Sequence, residues 1–489
     1  MKFRKTKSLI LTLLIVCSLV LSVRVWFDEK LWPGGYNFFI MFKNTPVFSK
    51  IFNSEPSYSM PKENLSRPQK IVITNKDKRT VFYNSDSSFD SVNEIVKNFF
   101  TQTLNSKDNV LNSSTVAEDE WYDVLRNDEL LDTRSIYVDY SLAYSPELFA
   151  HFIGIQNSWL EGDVAAVKEF IIAPVNSDNV NALFYVKDFS NNSIMKYYIS
   201  YSDKGALDTA VSRYVKKTDD SNSFAFELNL DNRSGGIGSG VVQKVFLDSM
   251  VTVSTSTGDK PVIESENPLK SGGFSPNAML NVFEYPNVSP RHYTDVDGTE
   301  YFVENYSVLK IFPNGVIEYT ADKDSMGIEI SDDLSLYESL NRAIEFSENV
   351  WNAVVPDEPF NVLVTSDLTE SRQNDGEYTF YLDYYCYGSP VTVDVDGINH
   401  AVEIKVKSGK IISYRHFIRK YFSAGYSVNP IPMIDALDEI YSSFSSSEDE
   451  IEIKDLYLSY IDDGSFGDKT PAWSAEIRGS EKLFYIKGE

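Results

Sequence analysis

Hydrophobic and polar positions divide the chain into two unlike parts. From Ser8 to Val23, 16 residues pass without a charge, about 24 Å as a helix. Val25, Trp26 and Phe27 carry the apolar stretch past Arg24, to about 28 Å counted from Leu9, enough to span a bilayer. Lys2, Arg4, Lys5 and Lys7 precede it and predict a cytoplasmic N-terminus. A cleaved signal peptide needs small residues at its end, and Ser22-Val23-Arg24-Val25-Trp26 fits that poorly. A lipoprotein signal fails because Val16 precedes Cys17. The expectation is an uncleaved, single-pass anchor over residues 1–27, with everything after residue 27 outside the cytoplasm.

Beyond the anchor the apolar residues return in short periods. Residues 28–67 read as a juxtamembrane linker, in which Pro33-Gly34-Gly35 stops any continuing helix. Its runs Tyr36–Phe42 and Val47–Phe52 suit either the bilayer surface or packing on the first domain. Ile71-Val-Ile-Thr74 predicts a strand, and Val92, Ile95, Val96, Phe99, Phe100 and Leu104 keep helical spacing. Ser135–Tyr140 predicts a strand and Pro146–Ile155 a helix. The runs at 170–173 and 183–186 are expected to pair with 195–200, with Asn191-Asn192 in a tight turn. Residues 231–240 are a Gly- and Ser-rich loop.

The last 230 or so residues carry one pattern twice. Asp295-Val-Asp-Gly298 precedes a hairpin, Val308–Phe312 and Val316–Tyr319, turning at Asn314-Gly315. Asp394-Val-Asp-Gly397 precedes Val402–Val406 and Lys410–Tyr414, turning at Ser408-Gly409. An amphipathic helix follows each, Leu336–Val350 and Met433–Phe444. The predicted class is α+β: one N-terminal transmembrane helix and about three extracytoplasmic domains, at 68–255, 256–355 and 356–489, the last two a tandem repeat.

Composition narrows the function. There are 45 Lys+Arg against 71 Asp+Glu, a net charge of −26, and −30 once the four basic residues before the anchor are set aside. No basic stripe is available to neutralise phosphates, so a nucleic-acid partner is excluded. Two cysteines cannot build a disulfide framework or a Cys-ligated metal site. Cys386 reads as a small hydrophobe in a strand.

Candidate chemistry fails on context. In a calcium-loop frame Asp295, Asp297, Gly298 and Glu304, and again Asp394, Asp396, Gly397 and Glu403, take four positions. The first ligand position fails at Tyr293 and Thr392, and the flanks read as strands, so both are ordinary Asp-Gly turns. Ser59-Met-Pro-Lys62, Ser177-Asp-Asn179 and Lys270-Ser-Gly272 mimic a penicillin-binding set, but Pro61 forbids the helix that the nucleophile must open. His151, His292, His400 and His416 form no zinc pair, and each reads as surface or turn. Gly235–Gly240 lacks dinucleotide spacing. A glycosidase-type carboxylate pair leaves no sequence signature and stays open. No catalytic, cofactor or metal residue is assigned.

A set of short motifs nevertheless resembles the YycH family, accessory proteins of low-GC Gram-positive bacteria. They are Lys5-Thr-Lys-Ser-Leu-Ile-Leu-Thr-Leu-Leu14, Ser145-Pro-Glu-Leu-Phe149 within Ile136–Phe152, Asn267-Pro-Leu269, Tyr306-Ser-Val-Leu309 with Gly315–Tyr319, Tyr378-Thr-Phe380, Gly388-Ser-Pro-Val391, Lys410–Arg415 and Pro471-Ala-Trp473. Against that family the linker at 31–52 is long and the 231–240 loop is an insertion. The resemblance implies a non-enzymatic regulator, working with a YycI-like protein on the WalK (YycG) sensor histidine kinase of cell-wall homeostasis. It implies that transmembrane helices make much of the contact, and that the last two domains resemble YycI. Helices pack closely in membranes through small and polar residues, so Thr12, Cys17 and Ser18 are the candidate partner-binding residues. The same acidic architecture also suits a wall- or ligand-binding module without a kinase partner, or a wall-active hydrolase.

Overall fold

The computed structural model describes residues 67–489 apart from 85, 87, 127–132, 176–178, 215–221, 232–244, 255–257, 271–275, 285–289, 332–334, 357, 367, 369–376, 445–449, 481–482 and 488–489. The expected anchor, residues 28–66 of the expected linker and residues 232–240 of the expected Gly- and Ser-rich loop lie outside these residues. Among the described residues no helix is long and apolar enough to cross a membrane. The class is α+β, with seven α-helices described.

The first sheet holds β1 (Lys70–Asn75), β2 (Lys78–Tyr83), β3 (Val110–Val116), β4 (Arg134–Tyr144), β5 (Val167–Pro174), β6 (Ala182–Asp188) and β7 (Ile194–Ile199). Their order is β2-β1-β4-β5-β6-β7-β3, antiparallel throughout. Asn192, at φ 58°, turns the chain from β6 to β7. Helix α1 (Phe89–Leu104) buries Val92, Val96, Phe99, Phe100 and Leu104, the stripe its spacing predicts. Its rings meet Phe149, Phe170 and Phe184 on one face of the sheet. The opposite face is covered by α2 (Glu118–Leu125), with Trp121 against Tyr137 and Phe224 beside it. With both faces buried, the central strands read as continuous apolar runs such as Phe170-Ile-Ile rather than as alternation. Helix α3 (Pro146–Ile153) starts where Ser145 Oγ accepts the Leu148 N–H and stops at Gly154, φ 87°. Helix α4 (Lys204–Arg213) is capped by Asp203.

The rest of the chain builds β8 (Asn222–Phe224), β9 (Val245–Leu247), β10 (Thr252–Ser254), β11 (Lys260–Glu266), α5 (Pro276–Val282), β12 (Arg291–Thr294), β13 (Glu300–Val303), β14 (Ser307–Ile311), β15 (Val316–Ala321), β16 (Ile328–Glu329) and α6 (Leu336–Val354). It continues with β17 (Val362–Val364), β18 (Glu377–Cys386), β19 (Ser389–Val393), β20 (Val402–Lys407), β21 (Lys410–Phe417), β22 (Lys420–Val428), α7 (Met433–Phe444), β23 (Ile451–Asp462), β24 (Gly467–Lys469), β25 (Pro471–Ile477) and β26 (Phe484–Lys487). The hairpins β14–β15 and β20–β21 lie side by side, because β15 pairs with β21 inside one 14-stranded sheet. Helix α6 covers part of that sheet, where Phe346 packs edge-on to Tyr414. Helix α7 covers another part with Ala436, Leu437 and Ile440 against Ile453, Leu456 and Trp473. Strands β22, β11 and β24 form a small separate sheet.

Both predicted hairpin turns need a left-handed residue: Gly315 has φ 101°, Ser408 50° and Gly409 75°. At Gly315 an added Cβ would lie 2.5 Å from Arg419 Nη1 and 2.9 Å from the Ile418 carbonyl, whereas at Gly397 nothing lies within 4 Å. Gly315→Ala is therefore expected to cost about 1–3 kcal/mol, and more than Gly397→Ala, which meets only the backbone strain. Urea denaturation of the two variants checks this, and equal costs would refute the steric account.

Candidate functional site

Thr12, Cys17 and Ser18 lie outside the described residues, as do Ser59–Lys62, Ser177 and Ser271-Gly272. Both Asp-x-Asp-Gly stretches are turns closed by their own backbone. Gly298 N donates to the Asp295 carbonyl at 3.0 Å, and Asp297 Oδ1 accepts the Thr299 N–H at 2.8 Å. Ile398 N donates to the Val395 carbonyl at 2.8 Å. Among the described residues no group of three or more His, Cys, Asp or Glu is arranged to hold a metal ion.

The four histidines stand in four different settings. His151 stacks on Tyr337 at 4.7 Å, joining α3 to α6. His292 stacks on Phe302 at 4.4 Å. His416 departs from the surface-or-turn expectation: it is fully buried on β21, between the hydroxyls of Tyr384 (2.9 Å) and Tyr414 (2.8 Å). Burial pushes it down to about 3, so it stays neutral and serves packing. An alternating strand places it inward, a signal visible only once the face of β21 is known.

His400 comes nearest to a reactive arrangement. Asp383 Oδ2 lies 2.8 Å from its Nδ1, and Asp383 Oδ1 accepts the Ala401 N–H at 2.9 Å. Tyr381 stacks on the ring at 4.5 Å. Desolvation is the largest single effect and lowers its pKa, but the Asp383 hydrogen bond and the Asp383 and Glu403 charges together outweigh it, so the net direction is upward. The Thr365 hydroxyl sits 3.4 Å from Nδ1 and also donates to Asp383. An acyl-transfer triad needs its hydroxyl on the other nitrogen, so this pair pins a loop rather than activating a nucleophile. Cys386 is equally unreactive, its thiol pushed up to about 12 by burial.

Among the described residues, two of the places where charge is buried are missed by pattern reading of the sequence. One is beneath β22, where Arg419 and Asp462 are both buried, with Nε–Oδ2 3.8 Å. Lys469 stands 3.7 Å from Asp462 Oδ1, Tyr421 donates to Oδ2 at 2.7 Å, and Arg419 Nη1 donates to the Asn314 carbonyl at 2.8 Å. The other is the junction between the first sheet and segments of the later chain. There Lys70 pairs in register with Asp139, and Asp139 with Glu169, so β1, β4 and β5 carry a row of charges on one face. Lys70 Nζ lies 3.4 Å from Asp139 and donates to the Met250 carbonyl at 3.1 Å. Lys187 Nζ stands 3.9 Å from Glu169 Oε2. Gln69 donates to Asp455 of β23 at 3.0 Å. The sequence signal was a charge interrupting each apolar strand run, as in Val138-Asp139-Tyr140 and Lys168-Glu169-Phe170. Both clusters are ion-paired, and neither aligns a nucleophile with a base.

The comparisons concern the fold. The chain superposes on the crystal structure of YycH from Bacillus subtilis with a TM-score of 0.54 at 10% sequence identity, covering 88% of this chain and 98% of that one. It has a YycH-like fold. The crystal structure of an uncharacterized protein from Eubacterium rectale ATCC 33656 aligns over 50% of this chain and 88% of its own, at 14% identity and a TM-score of 0.30, too low to define a common fold. No family model and no curated protein matches the chain.

Proposed function

We propose that this protein is a membrane-anchored, extracytoplasmic regulator of a WalK-type sensor histidine kinase, working beside a YycI-like protein by contact rather than by catalysis. The observation that carries the proposal is the YycH-like fold over 88% of the chain. In this reading residues 1–27 are the cytoplasmic tail and anchor, residues 28–67 the linker, and the outer part divides near 68–255, 256–355 and 356–489. A regulator moves a kinase only by binding its two states unequally, and the helix face with Thr12, Cys17 and Ser18 is the contact proposed inside the bilayer.

The test replaces Leu9–Val23 with an unrelated apolar helix of equal length. Anchoring and the outer part are kept while the specific packing is removed. Helix contacts in membranes are worth about 1–2 kcal/mol each, so binding to the kinase in a bacterial two-hybrid assay should fall sharply. Unchanged binding and unchanged kinase output would move the interface to the outer α+β part. Failure of the unaltered protein to co-purify any histidine kinase from membranes would overturn the regulatory reading itself.

A further inference from the structure

The charged row at the junction contains two carboxylates that burial and register force together. Asp139 and Glu169 are directly opposite on β4 and β5, and each residue is about 5–6% exposed. Like charges facing across a ladder repel, and burial raises the cost of keeping both ionised. One oxygen of each, Asp139 Oδ1 and Glu169 Oε2, has no hydrogen-bond partner, and the buried Tyr137 hydroxyl on the same face has none either. The lysines do not close these gaps, because Lys168 and Lys187 stop at 3.9 Å.

Across the junction the facing groups are acidic. Asp248, just after β9, and Asp139 act on Glu169 as like charges, against Lys187 of β6 and Lys168 of its own strand. Asp455 of β23 adds to the acidic field at Asp139, against Lys168 and Lys70. The segment carrying Asp248 pairs through β9 with β23 and through β10 with β8, and the Ser249 and Val251 carbonyls accept the Phe226 and Ala225 N–H groups. Its polar bonds to the first sheet include those of Lys70 to the Met250 carbonyl and of the Tyr83 hydroxyl, 3.3 Å from that of Thr252.

We propose that the row Lys70–Asp139–Glu169–Lys187 is a proton-operated latch between the first sheet and segment 245–254. With Glu169 protonated, one of two opposed charges disappears, a donor is supplied, and the segment stays docked. With Glu169 ionised, Asp139, Glu169 and Asp248 repel one another and the docking loosens. Burial pushes the Glu169 carboxyl up to about 7. The unfolded chain releases this proton near the ordinary glutamate value of about 4.3. Stability from this group is therefore greatest at low pH, falls as pH rises between those two values, and stays lower above them. The latch belongs to the folded chain and does not depend on the kinase reading.

Amide hydrogen exchange of the full-length protein in detergent at pH 5.5 and pH 8, corrected for intrinsic rates, tests it. Protection of Leu247, Asp248 and Val251 should be roughly thirtyfold lower at pH 8, because about 1.5 pH units of the window lie between pH 5.5 and the folded value of about 7. In Glu169→Gln, which mimics the protonated acid, protection should be equal at both pH values, and Tm at pH 8 should exceed that of the unaltered protein by roughly 5 °C. In Asp139→Asn the transition should move to lower pH, because Glu169 loses its opposed charge. Equal protection of the unaltered protein at both pH values would overturn the latch. So would a Glu169→Gln protein that keeps the original pH dependence, or an Asp139→Asn protein whose midpoint stays in place.

Discussion

Phe100→Ala is expected to destabilise the first sheet and its helices by about 3–5 kcal/mol, the range for removing a large buried aromatic. Phe100 is fully buried. Its ring lies 4.9 Å from that of Phe170, 5.6 Å from Phe149 and 6.0 Å from Phe184. These rings come from α1, α3, β5 and β6, so the truncation opens a cavity where four elements converge. Phe99, Tyr140 and Tyr197 complete the surrounding cluster and are themselves buried, leaving little room for collapse. Guanidinium denaturation followed by near-UV circular dichroism measures the loss. Phe100→Leu, which keeps most of the volume, should cost roughly a third as much. A Phe100→Ala loss under about 1 kcal/mol would mean that the cluster repacks around the gap.

Asp462→Ala is expected to cost about 3–5 kcal/mol for an electrostatic reason. Asp462 is fully buried and holds Arg419, which is 2% exposed, Lys469 and the Tyr421 hydroxyl. Without the carboxylate, Arg419 keeps only carbonyl acceptors such as that of Asn314, while its charge remains out of water. Lys469 is less affected, since Asp463 stays 2.7 Å away. The energy resides in the stranded charge, so Arg419→Met should recover part of the loss when added to Asp462→Ala. A double-mutant cycle should show a coupling of about 1–3 kcal/mol. Strict additivity would show that Arg419 and Asp462 act independently.

The elements themselves were legible because each is a local periodicity. The α1 stripe, the Ser145-Pro146 start of α3, both helices after the hairpins and the turns at Asn314-Gly315 and Ser408-Gly409 depend on spacing, on a capping side chain or on a residue tolerating positive φ. The Asp-x-Asp-Gly turns were legible for the same reason. The family likeness in short motifs is matched by the YycH-like fold.

What the chain does with those elements was decided at longer range. Nothing in the two hairpin segments says that β15 pairs with β21, because pairing between strands about a hundred residues apart depends on which edges remain free. The inward face of His416 followed from that register. So did the junction row, since Lys70, Asp139 and Glu169 become neighbours only when β1, β4 and β5 align. Local sequence determined which segments are helix, strand and turn, because backbone preference and side-chain period act within a few residues. Tertiary structure alone decided which charges meet in the dark interior, because burial and register are set by partners far away along the chain.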